Sequence, residues 1–179
     1  KCGLNINSFL KREIKMHSLI LGITGSGKTH LAKKLARNFQ LQNYKVLVLD
    51  PLSDPEWPCD FKTKNKDEFL DVVKSSKSCI LFIDESGQEI GRYNDEMFFL
   101  ATQARHWGHH SFFISQRAQA LNKTVRDQCS HLYAFRLSLS DSVILSDQFA
   151  QPELKNIVSL EKYHFYKAGC FETPKIMKV

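Results

Sequence analysis

The chain has 179 residues, 42% hydrophobic and 25% charged, which suits one soluble domain with a proper core, or one domain plus a short appendage. No apolar run approaches the ~20 residues of a membrane span and no secretory pattern opens the sequence, so neither a transmembrane segment of its own nor export is expected. The net charge of +6, from 25 lysines and arginines against 19 acids, permits an anionic partner such as nucleic acid without demanding one.

Residues 1–16 carry a mixed helical pattern (Ile6, Phe9, Leu10, Ile14), which reads as packing on the domain's flank or as a subunit contact. Residues 18–21 form a short apolar run, read as a buried strand. Gly22-Ile23-Thr24-Gly25-Ser26-Gly27-Lys28-Thr29 then fits G-x-x-x-x-G-K-[ST], the Walker A pattern, at every fixed position. Leu31, Leu35 and Phe39 follow at helical spacing, with Lys33, Lys34 and Arg37 facing elsewhere. Strand, glycine loop and helix are the context in which this pattern binds nucleotide phosphates. Glycines let successive backbone N–H groups close around phosphate oxygens, and the helix start adds its positive dipole end. Gly22, Thr24, Gly25, Ser26 and Gly27 are the expected cradle. Lys28 is a point charge for the β- and γ-phosphates, and the Thr29 hydroxyl is a ligand for Mg²⁺.

Residues 45–50 read as a second buried strand, stopped by Pro51. The irregular stretch 51–66 is a solvated linker or a DNA-touching loop. Lys62, Lys64 and Lys66 alternate there, so an extended segment would turn all three ammonium groups to one side. Residues 67–77 read as a short helix capped by Asp67.

The second chemical landmark is 78–85, where Ile80, Leu81, Phe82 and Ile83 run into Asp84 and Glu85. Such a run is a buried strand whose C-terminal end emerges at a site. With a phosphate loop upstream, Asp84 is the expected partner of the Mg²⁺ water shell, and Glu85 can polarise the attacking water. A polar loop with Arg92 follows at 86–95. Residues 96–107 then read as a helix with Met97, Leu100, Ala101 and Ala104 towards the sheet and Gly108 as its C-terminal cap. Residues 111–116 form a fourth strand that lands Gln116 near Asp84 and Glu85, to sense the γ-phosphate or the water, or else to cap the next helix. His106, His109 and His110 have no acid or cysteine at ligand spacing and read as packing residues.

Residues 117–129 read as a helix or helical turn with Lys123 and Arg126, and 131–139 as a fifth strand. Ser140-Asp141 looks like a cap for a helix at 142–149, and Pro152 starts another through 158. Residues 163–168 and 171–179 alternate in hydrophobicity around Gly169 as a terminal hairpin. The five scattered cysteines (Cys2, Cys59, Cys79, Cys129, Cys170) include no C-x-x-C and read as reduced thiols in a cytosolic compartment. One domain, 1–179, accounts for the chain, with 1–16 as flank and 160–179 as hairpin.

The phosphate loop, Asp50, Asp84-Glu85 and Gln116, carried in order by four strands, resemble the additional-strand P-loop ATPases more than GTPases or nucleotide kinases. The run Arg105-His106-Trp107-Gly108-His109-His110-Ser111-Phe112-Phe113-Ile114-Ser115-Gln116-Arg117 resembles the FtsK–HerA superfamily of DNA-pumping motors. There an arginine-basic-x-Gly segment precedes an apolar strand and Gln-Arg. The chain is also similar to the genome-packaging ATPases of tailless, membrane-containing double-stranded DNA viruses. The resemblance covers roughly residues 18–139. It implies an α/β, RecA-like P-loop NTPase fold, a three-layer sandwich with a mainly parallel central sheet, here with a C-terminal β-hairpin.

By the same resemblance ATP and Mg²⁺ are the cofactors, held by Lys28, Thr29 and Asp84, with Glu85 activating water and Gln116 as sensor. The inter-subunit arginine finger falls on Arg105, although His106 stands where a lysine is usual, and Arg117 and Arg126 are rivals. A homo-oligomeric ring, often a hexamer, is implied, with double-stranded DNA in its pore. It would dock on a capsid vertex or membrane protein of a virion, in the host cytoplasm or at the packaging vertex. Lys62, Lys64, Lys66 and Arg92 are the candidates for the DNA backbone.

The expected function is thus an ATP-driven DNA translocase that packages a viral genome. The alternatives are an FtsK/HerA-type translocase in conjugation or segregation, a filamentous-phage-type assembly ATPase, a small P-loop kinase, and a nucleotide-binding module without turnover. A kinase would need an arginine-rich lid, which nothing after Gln116 offers. Assembly ATPases usually carry a membrane span, and Glu85 argues against a module without turnover.

Overall fold

Leu19, Ile20 and Leu21 have no exposed surface because β1 (His17–Leu21) has a strand on each side and a packed layer on each face. Parallel strands covered on both faces need continuous rather than alternating apolar runs. The same holds for β2 (Val46–Leu49), β4 (Ile80–Asp84) and β5 (His110–Ser115), buried at every position. The computed structural model describes residues 16–84 and 94–179, with the helical backbone alone at 94–97. The expected segment at 1–15, together with Glu85 and Arg92, lies outside the described residues.

The sheet has eight strands in the order β3-β2-β4-β5-β1-β6-β7-β8, with β3 at Phe61–Thr63 and β6 at Cys129–Ala134. Strands β3 to β6 are parallel, and β7 (His164–Gly169) and β8 (Glu172–Lys178) add the expected hairpin antiparallel to β6. Strand β5 sits between β1 and β4, the insertion for which the additional-strand class is named.

Helix α1 (Lys28–Leu41) covers one face, burying Leu31, Leu35 and Phe39 against Ile20, Val48, Phe82 and Phe112. On the other face lie α2 (Lys66–Ser75), α3 (Asn94–Thr102), α4 (Lys123–Asp127) and α5 (Leu139–Gln148). Phe69, Leu100, Val125 and Leu145 from these helices pack on Leu19, Leu21, Leu81 and Phe113. This is the expected three-layer arrangement. Cys59, Cys79, Cys129 and Cys170 are free thiols. Among the described residues no helix is long and apolar enough to cross a membrane.

Several local expectations are corrected. The stretch 51–66 is not irregular throughout. β3 pairs with β2, Asp60 accepts from Val46 N–H at 2.9 Å, and Trp57 is buried with its ring 5.6 Å from that of Phe82. Lys62, Lys64 and Lys66 therefore do not share one extended segment: Lys62 is in β3, Lys64 follows it, and Lys66 opens α2. The cap of α2 is Asn65, whose side chain accepts from Asp67 and Glu68 N–H, so Asp67 lies inside the first turn. Likewise Ser138, rather than Ser140-Asp141, caps α5 by accepting from Asp141 N–H. The expected helix at 96–107 divides into α3 and a 3₁₀ turn, Ala104–Trp107, which Gly108 ends at φ 79°.

Candidate nucleotide site

The loop between β1 and α1 is held by its neighbouring strands. Gly22 N–H donates to Ser115 O (3.3 Å) at the end of β5, and Ile23 N–H donates to Arg136 O (3.0 Å) after β6. A Cβ on Gly22 would stand 2.6 Å from Phe135 Cβ, so no larger residue fits there. Gly27 has φ 115° and is the N-cap of α1; it supplies no capping side chain, and no acid stands in the first turn. The first N–H groups of α1 are thus left without a side-chain cap at the positive end of the helix. Beside them Ser26 Oγ is buried without a hydrogen-bond partner. These are the donors an anion would satisfy.

Thr24, Lys28, Thr29, Asp84 and Gln116 line one cleft at the C-terminal edge of the sheet, with Leu52 at its rim. Asp84 ends β4 and is 8% exposed. Burial, with the Asp50 carboxylate adding to it, pushes its pKa up to about 6 against the opposing pull of Lys28. Burial lowers the Lys28 ammonium, which Asp84 partly restores, and Lys28 Nζ donates to Ile23 O at 3.1 Å. A half-buried lysine and a buried carboxylate destabilised as charges are what a phosphate and a divalent cation would relieve.

Thr24 Oγ1 donates to Gln116 Oε1 at 3.1 Å, joining the loop to the end of β5. Asp50 has a different duty, its two oxygens accepting from Leu52 N–H (2.9 Å) and Asp54 N–H (2.7 Å) in the turn after β2. The donor set fits magnesium, a hard cation usually held by one or two carboxylates plus phosphate and water. No cluster of three or more His, Cys, Asp or Glu that could hold a metal occurs among the described residues.

The three arginine candidates separate. Arg126 donates through Nη1 to Ala118 O (2.9 Å) and Leu121 O (2.6 Å), and through Nε to Gln148 Oε1 (3.2 Å), all within its own chain. Arg117 is more exposed, with Nε 3.7 Å from the buried Asp141 carboxylate. Arg105 is exposed on the 3₁₀ turn before β5, at the opposite end of the sheet from the cleft. The six residues of β5 span about 20 Å between them, so it cannot reach its own chain's cleft.

Lys62 Nζ donates to Asp54 O, and its strand is the outermost on that side of the sheet. His109 and His110 pack as expected: His109 Nδ1 accepts from Cys79 N–H at 3.1 Å, and His110 Nε2 lies 3.1 Å from Ser18 Oγ.

Sequence reasoning missed the support given by the hairpin. Tyr163 N–H donates to Ser26 O (3.2 Å), and the Tyr163 ring rests on Gly27. No local signal announces this contact, because 136 residues separate the two.

Residues 3–74 match the family described as helicase HerA, central domain. No curated protein matches the sequence. Among solved structures, the genome packaging NTPase B204 from Sulfolobus turreted icosahedral virus 2, in complex with AMPPCP, is 18% identical with a TM-score of 0.74, over 92% of this chain and 97% of that one. B204 from Sulfolobus turreted icosahedral virus, the DNA-packaging ATPase, is 16% identical with a TM-score of 0.71, over 92% and 97%. The cytoplasmic domain of the type VII secretion ATPase EccC from Thermomonospora curvata is 15% identical with a TM-score of 0.70, over 93% of this chain but 25% of that one. The chain thus has the fold of P-loop NTPases and resembles the FtsK–HerA superfamily of ATPases, viral genome-packaging NTPases among them.

Proposed function

We propose that this chain is an ATP-hydrolysing double-stranded DNA translocase that packages a viral genome into a preformed capsid. The observation that carries this reading is the extent of the likeness to B204, 92% of this chain and 97% of that one. The secretion ATPase is matched over only 25% of its length and the pCW3 conjugation coupling protein TcpA over 60%, while VirB4 of Thermoanaerobacter pseudethanolicus is matched over 89% of its length but at 9% identity and a lower TM-score of 0.67. Residues 1–179 would act as one ATPase domain, braced by the hairpin 160–179, in a homo-oligomeric ring, often a hexamer in this superfamily. The ring would dock on a capsid vertex or a virion membrane protein.

In this reading Gly22, Thr24, Gly25, Ser26 and Gly27 shape the backbone cradle, and Lys28 supplies a mobile charge to the β- and γ-phosphates. Thr29 and Asp84 would hold Mg²⁺, which would supply positive charge against the negative charge that develops on the phosphates. Glu85 orients and polarises the attacking water, and Gln116, tied to Thr24, senses the far side of the same space. Arg105 would be presented to a neighbour's cleft, since its own is out of reach. Lys62, Lys64, Lys66 and Arg92 would meet DNA phosphates without reading bases.

The test is ATPase rate and DNA binding over a salt series. Double-stranded DNA should stimulate turnover, and its affinity should fall steeply with salt while ignoring sequence. Neutralising Lys62, Lys64 and Lys66 together should lower the salt slope by up to about three units and leave nucleotide binding intact. ATP hydrolysis that is indifferent to double-stranded DNA would contradict the motor and favour the kinase alternative.

A further inference from the structure

Strand order gives the phosphate loop two sides. Gln116 and Asp84 stand on the β5 and β4 side; the end of β6 and the turn that opens β7 stand on the other. A triphosphate whose terminal phosphate faces Asp84 and Lys28 carries its nucleoside away from them, towards that second side.

The lip there is Tyr163. Its N–H donates to Ser26 O at 3.2 Å and its carbonyl accepts from Val179 N–H at 3.0 Å, so its backbone is fixed from both directions. The ring edge lies against the loop: a Cβ on Gly27 would meet Tyr163 Cδ1 at 2.9 Å and Phe135 Cε1 at 3.2 Å. Behind it Phe135 and Phe165 pack with ring centroids 5.1 Å apart. Tyr163 is nevertheless 42% exposed as a residue, and Lys162 Nζ stands over its ring, 5.0 Å from the centroid. A half-exposed aromatic ring on a fixed backbone, with a mobile lysine over one face, offers stacking to a flat heterocycle and a cation at its rim.

We propose that Tyr163, with Lys162, is the platform on which the nucleobase of a bound nucleoside triphosphate stacks. The site would hold the base by its face, and so accept ATP and GTP alike. This rests on the phosphate site proposed above.

The test is equilibrium binding of ATP, GTP and inorganic tripolyphosphate to the whole chain in the presence of Mg²⁺. Wild type should prefer either nucleotide over tripolyphosphate by roughly tenfold or more, the scale of one base–aromatic stack. Tyr163→Leu, which keeps apolar packing on Gly27, should lose that margin for both nucleotides and leave tripolyphosphate affinity unchanged. Tyr163→Phe should retain the margin. An equal fall in tripolyphosphate affinity would mean that the ring merely props the loop, and would overturn the platform. So would wild-type affinity for ATP in Tyr163→Leu, or equal affinity of wild type for tripolyphosphate and ATP, a result that leaves the phosphate site standing. Binding of none of the three ligands by wild type would sink the phosphate site and the platform with it.

Discussion

Where β1, β4 and β5 begin, several buried polar groups are paired within the protein, although His17 Nε2, like Ser26 Oγ at the other end, is buried without a hydrogen-bond partner. His17 Nδ1 accepts from Ser111 N–H at 3.0 Å, His109 Nδ1 from Cys79 N–H at 3.1 Å, and Ser111 Oγ donates to Leu100 O at 3.3 Å. Where the same strands finish, Ser26 Oγ is buried without a partner, and Asp84 is destabilised as an anion by burial and by Asp50. The helices repeat the contrast. Asn65 caps α2 with Asp67 and Glu68 in its first turn, whereas α1 starts from Gly27 with neither cap nor acid. A fold can leave such groups unsatisfied only at a cost of about 1–3 kcal/mol each, and the cost falls when a charged ligand arrives. The closed end holds the sheet together, and the open end is built for an anion and its cation.

The sharpest way to break that contrast is Arg105, an exposed cation at the closed end. Arg105→Ala should retain ATP binding and lose roughly 10³–10⁵ in turnover, the scale of a finger supplied in trans. Mixing it with Lys28→Ala subunits, which keep Arg105, should restore activity at mixed interfaces. No rescue in rings shown to be mixed would move the role to Arg117, since Arg126 is spent on its own chain. At the open end, Glu85→Gln should bind ATP and Mg²⁺ nearly normally and turn over at least ~100-fold more slowly in single-turnover assays.

A smaller effect sharpens the closed end. Burial, with Arg105 nearby, lowers the pKa of His17 to about 4, while the unfolded chain takes up the proton near 6.5. Below pH 6.5 the unfolded state therefore binds more protons, and stability falls as pH drops, until the folded form also protonates near 4. The loss is on the order of 3 kcal/mol across that window. His17→Asn keeps an acceptor for Ser111 N–H and should show a correspondingly shallower fall in urea-unfolding free energy between pH 6.5 and 4. Smallest is Asn65→Ala, which removes a cap and should cost about 1 kcal/mol of stability without changing ATP affinity.

The site was legible where chemistry is local. Gly22 to Thr29 are consecutive, Asp84 ends an apolar run, and Gln116 ends another. The layers were equally legible, because Leu31, Leu35 and Phe39 repeat at helical spacing and the strands are apolar at successive positions. What escaped depends on partners distant in sequence. β3 is three residues that become a strand by pairing with β2, and Tyr163 gains meaning only from Gly27. The caps were displaced by two or three residues, because Asn65 and Asp67, like Ser138 and Ser140, are each able to cap a helix that starts just after them. Only backbone geometry decides between such neighbours.

The central claim is that the open end of the sheet is a hydrolytic site completed by a neighbour, and the measurement that tests it most directly is ATPase rate per protomer across protein concentration, with and without double-stranded DNA. The account predicts a low rate in dilute monomer, a steep rise as rings assemble, and stimulation by DNA only in that regime. A monomer that hydrolyses ATP at full rate, independent of concentration and of DNA, would contradict it.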